Sequence, residues 1–435
     1  MGKDASLSVL ITITMTLLFT AVFPALIAAQ DAGPAKTPLT EKQMASMALR
    51  LGDELFQKKM FSEAIPQFRL AVKLQPQEAI FHQRLGDGLL KTGKVREALK
   101  EYEEANRLKP NFPHTYLGMG MVYSRIFETE KAISVLKEGI KLNPNFAPFY
   151  FELGVAYARE DRLKEAIQAI ETGLRIDPRA KPLEEMAKQL KQELDWEKGF
   201  VTLPGEHFTV KYHPEQDRAF VESVLKDLEA SYSKLSQELQ FTLPTKIFVK
   251  VYPDLGWFQQ AASTPGWFKG GVAKSRENKI LLATPKLAKN VERLPTVLTH
   301  ELTHIFVDLM TNGHRPGWLN EGMALLMSGE ERDLTRFSEA VRKGELISLK
   351  KLEEPFLRNI SDAESMHLAY AESYLAAQIL LEKDGRRRLV RYLGALSEGE
   401  EFEEALTRVF DEDYSSLGEK LKSPSLAAGK KQGSP

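Results

Sequence analysis

No cysteine occurs anywhere in the 435 residues. That excludes disulfides, thiolate metal sites, a cysteine nucleophile and a lipidated cysteine anchor, and it leaves the redox compartment open. An excess of charge of either sign is missing too, since 59 lysines and arginines face 60 aspartates and glutamates. A nucleic-acid binder would carry a basic surplus and a solvating tail an acidic block, so neither class fits. Long apolar runs are equally scarce. The one that stands out, Leu7 to Ala29, lies in the uncharged stretch 5–30, follows Lys3 and ends on small residues, Ile27-Ala-Ala29. Residues 1–29 therefore read as a secretory signal. The run is also long enough to span a bilayer, which makes an uncleaved N-terminal anchor the competing reading. Either one puts the remainder in the periplasm or outside the cell.

What is present is an ordinary globular mixture, 43% hydrophobic and 27% charged, in a chain long enough for two or three domains. Residues 30–39, with Gly33, Pro34 and Pro38, read as a linker, and Thr40-Glu-Lys-Gln43 as a capping box that opens the first helix. The chain then repeats. Gly52, Gly86, Gly120 and Gly154 are each 34 apart, as are Ala64, Ala98, Ala132 and Ala166, and Pro76, Pro110, Pro144 and Pro178. Phe68, Tyr102, Leu136 and Ile170 keep one large apolar position in the same phase. Small residues would let paired helices approach, large ones would fill the space beside them, and each proline would end a second helix. In period and residue types the stretch 40–180 resembles tetratricopeptide repeats. The resemblance implies an all-α solenoid whose concave face binds a peptide or a protein partner, with a spacer as the alternative reading. Residues 181–200 follow as a capping helix, with Leu183, Met186, Leu190 and Leu194 on one stripe.

The chemistry is concentrated in Val297-Leu-Thr-His-Glu-Leu-Thr-His-Ile-Phe306 and Trp318-Leu-Asn-Glu-Gly-Met-Ala324. On a helix His300 and His304 are one turn apart on one face, so two imidazoles can share a metal. Glu301 lies beside them, placed to take a proton from water on that metal. A catalytic zinc wants three protein ligands, and Glu321 is the candidate third, with sixteen residues between it and His304. Thr311-Asn-Gly-His-Arg-Pro-Gly317 should stop the first helix near Met310, and Leu319 to Met327 should form a second one. For the bare H-E-x-x-H pattern, two surface histidines beside a satisfied glutamate is an alternative reading. Asn-Glu-Gly at this distance favours the metal.

These two motifs resemble those of the gluzincin metallopeptidases, in particular the aminopeptidase-like branch and its peptidase MA-like relatives, over roughly residues 205 to 385. The resemblance implies a zinc (Zn2+) hydrolase with His300, His304 and Glu321 as ligands and Glu301 as general base. It also implies a tyrosine that donates to the oxyanion, and Tyr370 in Tyr370-Ala-Glu-Ser373 fits that slot. The Gly-x-Met-Glu-Asn strand with which aminopeptidases hold a free substrate amine is absent. Gly270 to Asn278 is the nearest piece, so the resemblance does not carry exopeptidase specificity.

Around the motifs, Val201 to Gly205 reads as a boundary, His207–Tyr212 and Lys246–Tyr252 as strands, and Asp217–Leu239 as a helix between them. Gly271-Val-Ala and Lys279 to Leu282 read as two short strands around a turn, and residues 335 to 420 as mostly helix. The expected architecture is multidomain: an all-α tetratricopeptide-like solenoid, then an α+β zincin-like (gluzincin) domain over 201–422, with a small sheet and a helical C-terminal part. Residues 423–435 read as a disordered tail. Among neighbouring polar groups, Asp308 reads as an imidazole-orienting acid or a surface acid, and Asn320 as a support for Glu321 or a helix cap. His314 reads as a solvated loop histidine, with a contact to substrate or to the metal ligands as the alternative. His367 reads as a bystander near Tyr370 rather than an aid at the oxyanion, and Trp257, Trp267 and Trp318 as core or cleft wall rather than substrate clamps. The function that follows is an exported zinc peptidase acting on a peptide or protein substrate, with no nucleic acid involved. The alternative is a non-catalytic envelope scaffold or adaptor, in which the solenoid binds partners and the zinc fold is structural or degenerate.

Overall fold

A computed structural model describes residues 39–262, 270–284, 291–330, 334–353, 362–382 and 385–423. The predicted leader, residues 30–38 of the linker, Trp267 and residues 424–435 of the tail lie outside them. Among the described residues, no helix is long and apolar enough to cross a membrane.

Four helix pairs form the solenoid: α1 (Glu41–Gln57) with α2 (Phe61–Leu74), α3 (Ala79–Lys91) with α4 (Val95–Leu108), α5 (Pro113–Arg125) with α6 (Thr129–Leu142), and α7 (Ala147–Arg159) with α8 (Leu163–Ile176). Helix α9 (Lys181–Trp196) closes the stack. Thr40 and Gln43 form the predicted capping box. The 34-residue register has a direct steric cause. A Cβ on Gly52, Gly86, Gly120 or Gly154 would come within 2.5, 2.8, 2.5 or 2.4 Å of Phe68, Tyr102, Leu136 or Ile170, respectively. Each large residue thus fills the space its own repeat's glycine leaves. A second bond recurs in the same phase. His82 Nε2 lies 3.0 Å from the Pro76 carbonyl, and the Tyr116 and Tyr150 hydroxyls donate to the carbonyls of Pro110 and Pro144 at 2.8 and 2.9 Å.

The turn inside each pair holds one residue in the left-handed region, Lys59, Gly93, Phe127 and Asp161, again 34 apart. Three of these four turns meet the second domain. Gly93 abuts the ring of His314, Phe127 is buried in the core of the C-terminal domain, and Asp161 enters a buried ion cluster.

That domain opens with a five-stranded sheet in the order β1 (Val201–Pro204), β2 (Phe208–Tyr212), β3 (Ile247–Tyr252), β5 (Lys279–Ala283), β4 (Gly271–Lys274). The three central strands are parallel and the two edges antiparallel. Val201 to Pro204, expected to be a boundary, is therefore itself a strand, because its backbone groups find partners along β2. One face of the sheet, with Val210, Val249, Val251, Ile280 and Leu282, packs on α10 (Arg218–Leu239) and α12 (Leu294–Met310). The opposite face carries Tyr252 and Leu281, covered by Phe258 of α11 (Leu255–Ala262) and by Trp196 and Phe200.

Lys211, Lys250 and Lys279 stand one on each of the three central strands, on the same face of the sheet, and the solenoid covers them. Lys250, with no exposed side-chain surface, pairs with Asp161 at 2.7 Å and with Glu193 and Glu197 of the capping region. Lys279 reaches Glu193 at 2.8 Å, and Lys211 pairs with Asp161 and, at 3.0 Å, with Glu197. Three ammonium groups thus meet three carboxylates. Burial pushes the Asp161 and Glu193 carboxyls up, but the lysines, Lys250 and Lys279 foremost, outweigh it and hold both below the usual range.

Candidate metal centre and catalytic site

Helix α12 carries the first motif and ends where the breaker cluster predicts, with Asn312 and Gly313 both at positive φ. Three threonines, Thr299, Thr303 and Thr311, bond back to carbonyls four residues earlier at 2.7 Å, so their polarity is satisfied inside a buried helix. Helix α13 (Gly317–Ser328) carries the second motif. Its N-terminus has no side-chain cap; the N–H groups of Gly317 and Trp318 donate instead to the carbonyls of Glu353 and Leu352, at 2.6 and 2.8 Å. Asn320 is buried but is neither the cap nor a hydrogen-bond partner of Glu321, because Pro316 stands at the cap position.

The two helices bring His300, His304 and Glu321 together. Potential ligand atoms of all three lie within 4.8 Å of one another, and both Nε2 atoms are 3.9 Å from the same oxygen, Glu321 Oε2. The imidazole rings stand nearly perpendicular at 85°, with centroids 4.8 Å apart. Tetrahedral zinc with bonds of about 2.0–2.1 Å sets neighbouring ligand atoms roughly 3.4 Å apart, so small side-chain movements would complete the shell. Two imidazoles and a carboxylate, each partly buried, are a donor set that suits zinc. Behind His300, the Glu330 carboxylate lies 3.8 Å from Nδ1, the ring nitrogen turned away from Glu321. Such a carboxylate can orient a ligating imidazole. Reading the sequence missed Glu330, because its position depends on the left-handed turn at Gly329 that ends α13.

Glu301 is buried, and its Oε2 accepts the backbone N–H of Ala273 at 2.7 Å. Ala273 lies on β4, the edge strand, which runs so close to α12 that a Cβ on Gly271 would come within 3.2 Å of Glu301 Cγ. Helix α12 and the sheet edge are therefore joined through the candidate base itself.

Tyr370 is half-buried on α15 (Ala363–Leu381), which follows α14 (Thr335–Lys343), and lies one turn before Ser373. Helices α13 and α15 cross at Gly322, where a Cβ would lie 2.2 Å from the Ser373 carbonyl oxygen and 2.8 Å from Ala377 Cβ. The glycine of Asn-Glu-Gly is thus a contact point that seats Glu321 against the helix of Tyr370. Gly322→Ala should force that crossing apart, at a cost of about 1–3 kcal/mol, and should weaken zinc binding by displacing Glu321. Denaturant titration and zinc competition with a chelating dye would check both. Glu372, next to this crossing, is fully buried and accepts the Ile347 N–H at 2.8 Å. Burial pushes its carboxyl up to about 8, so it is protonated at neutral pH and ties a connecting segment to α15.

Two polar expectations are corrected. Asp308 orients no imidazole and is not a surface acid, because it is buried and accepts from Arg315 Nε at 2.8 Å. His314 is not a solvated loop residue. It packs at the solenoid interface against Gly93, tilts over Phe402 at 4.6 Å and sets Nε2 3.1 Å from the Glu400 carbonyl. Burial pushes its imidazole down, although that carbonyl opposes the shift. Trp318 is core, packed edge-on to Tyr414, Trp257 is partly buried against the α11 cluster, and His367 is exposed. A further acidic trio, Asp161, Glu193 and Glu197, has metal-like spacing, but the three lysines described above neutralise it.

Fold and site define a repeat solenoid joined to a peptidase-like α+β domain with a His-His-Glu cluster. Comparison with family models agrees: residues 230–425 match the model of the Peptidase MA superfamily, and residues 49–113 and 117–181 match that of the tetratricopeptide repeat. No curated protein matches the chain. Solved structures that are similar cover about a third of it. TTC0263, a TPR protein of Thermus thermophilus, is 23% identical over 34% of this chain and 82% of its own, with a TM-score of 0.33. MamA of Desulfovibrio magneticus RS-1 is 19% identical over 35% and 86%, with a TM-score of 0.32. PilF of Pseudomonas aeruginosa is 18% identical over 36% and 72%, with a TM-score of 0.34.

Proposed function

We propose that this protein is an exported zinc-dependent peptidase whose solenoid binds a protein partner or substrate. The observation that carries the reading is one carboxylate oxygen 3.9 Å from two imidazole nitrogens, with Glu301 adjacent on the same helix. His300 Nε2, His304 Nε2 and Glu321 would hold zinc. The chemistry zinc supplies in such a site is Lewis acidity toward water and toward a carbonyl. Glu301 accepts the proton of the attacking water and returns one to the leaving amine nitrogen. The Ala273 N–H fixes the carboxylate while it does so. Tyr370 donates its phenolic O–H to the oxyanion. An extended peptide adding to β4 would lie along the helix of Glu301, which suits strand addition as the binding mode. The apolar leader over residues 1–29, whether cut or kept as an anchor, directs this activity to the periplasm or the exterior.

Metal content of the purified chain, beside Glu321→Ala, tests the reading. The expected result is about one zinc per chain, lost in the variant. A folded, metal-replete protein without zinc would overturn it.

A further inference from the structure

Two arginines in equivalent positions of successive repeats leave the solenoid for the segments that frame the site. Arg125 ends α5 and Arg159 ends α7, 34 residues apart. Arg125 donates through Nε to the Asn312 carbonyl at 3.3 Å and through Nη1 to the Leu90 carbonyl at 3.0 Å. Asn312 lies in the turn that joins the two helices bearing His304 and Glu321. Arg159 is buried and donates through Nε to the Arg276 carbonyl at 2.8 Å and through Nη1 to the Ser124 carbonyl. Its guanidinium sits over the Phe127 ring, 4.8 Å from the centroid.

Arg276 is in the short turn between β4 and β5, three residues after Ala273, whose N–H holds Glu301. Both ends of that turn are tied to the solenoid side, because Lys279 at the start of β5 pairs with Glu193. The chain of contacts thus runs from Arg159 to the Arg276 carbonyl, back through Ser275 and Lys274 to Ala273 of β4, and to the Glu301 carboxylate. A buried guanidinium with two carbonyl acceptors and an aromatic face beneath it has little freedom to move. An edge strand of four residues, by contrast, is held on its open side by the α12 contacts at Gly271 and Ala273 and not by a neighbouring strand.

We propose that the solenoid is a positioning element of the catalytic site, with Arg159 setting the hairpin that holds Glu301 and Arg125 setting the turn between the ligand helices. The inference rests on the peptidase reading for its catalytic meaning, but its structural content can be measured without metal or substrate. The repeats then do more than recruit a partner: their inner turns form a wall of the hydrolytic domain. A ligand that displaced these turns would loosen β4 and with it Glu301.

The test is amide hydrogen exchange on the metal-free full chain, resolved at Ala273 and compared with Val210 and Val249 in the central strands. Arg159→Ala should speed exchange at Ala273 at least tenfold while Val210 and Val249 keep their protection. Arg159→Lys, which retains the charge and N–H donors but not the planar fork, should restore part of it and serves also if the alanine variant fails to fold. In peptide hydrolysis, scored on an internally quenched peptide mixture, kcat should fall with KM little changed. Unchanged exchange at Ala273 in the folded variants would overturn the proposal. So would a uniform rise at all three positions, because that reports only lost stability. If the zinc-loaded parent chain hydrolyses none of the peptide mixture, the peptidase reading fails, whereas the exchange result still decides the mechanical link.

Discussion

Glu301→Gln should lower kcat/KM on peptide substrates by about 10²–10⁴-fold, the range for losing a general base, with zinc content unchanged. The substitution is nearly isosteric, and the amide oxygen of glutamine can still accept the Ala273 N–H now bonded at 2.7 Å. The β4 contact and the seat of α12 are therefore kept, and only the ability to take and return a proton is lost. His300, His304 and Glu321 are untouched, so the metal should stay. The measurement pairs elemental analysis with hydrolysis of the quenched peptide mixture. Zinc retained with hydrolysis lost supports Glu301 as the base; hydrolysis retained sinks that role. If both are lost, then Glu301 acts in building the site, and Ala273 exchange should show a disturbed hairpin.

Much of this site was legible from residue order alone, because its parts are local. His300 and His304 share a face by helix geometry, and Asn312-Gly313 ends the helix by backbone preference. The repeat register was legible for the same reason: Gly52 and Phe68, or Gly120 and Leu136, meet within one helix pair. Gly322 could be read only in part. It belongs to a recognisable motif, but its necessity comes from the Ser373 carbonyl, about fifty positions away.

The domain contact was not legible. Arg125 and Arg159 meet carbonyls of Asn312 and Arg276, which are 187 and 117 positions distant. A backbone carbonyl leaves no trace in residue type. Phe127 and Asp161 occupy left-handed turn positions where glycine would be expected, and that departure was the available signal. Each keeps a strained conformation and places its side chain in the other domain, in its core or in the ion cluster. The lysine cluster was not legible either: Lys211, Lys250 and Lys279 stand on three different strands, and the acids that meet them come from the solenoid side. This occupied edge bears on the scaffold alternative. The inner turns of the second, third and fourth repeats already serve the chain itself, so a partner must use the concave face or the outer helices.

The ion cluster supplies the other large effect. Lys250→Met should destabilise the chain by about 3–5 kcal/mol, the usual cost of leaving buried charges without their partner. Lys250 has no exposed side-chain surface and bridges Asp161, Glu193 and Glu197 at once, so its loss leaves three carboxylates facing two lysines. The pH dependence has a definite sign. The Asp161 and Glu193 carboxyls are held below their ordinary values, so their contribution is fully present above about pH 4–4.5 and is lost as pH falls through the depressed folded values. Lys250 is held well above its ordinary value, despite the burial that opposes it, by Glu193 and Asp161 foremost. Its contribution is therefore present below about pH 10.4 and lost only as pH rises past that point. Stability attributable to the cluster should accordingly be flat between about pH 5 and 10 and fall on the acid side. Urea titrations of the parent and the variant at pH 7 and pH 3.5 measure this directly. The gap between them should shrink at the lower pH, where protonation begins to remove the unpaired negative charge. A gap that is small at pH 7, or that widens in acid, would mean that solvent reaches the cluster and that the domains are held together by the Phe127 and Arg159 contacts instead.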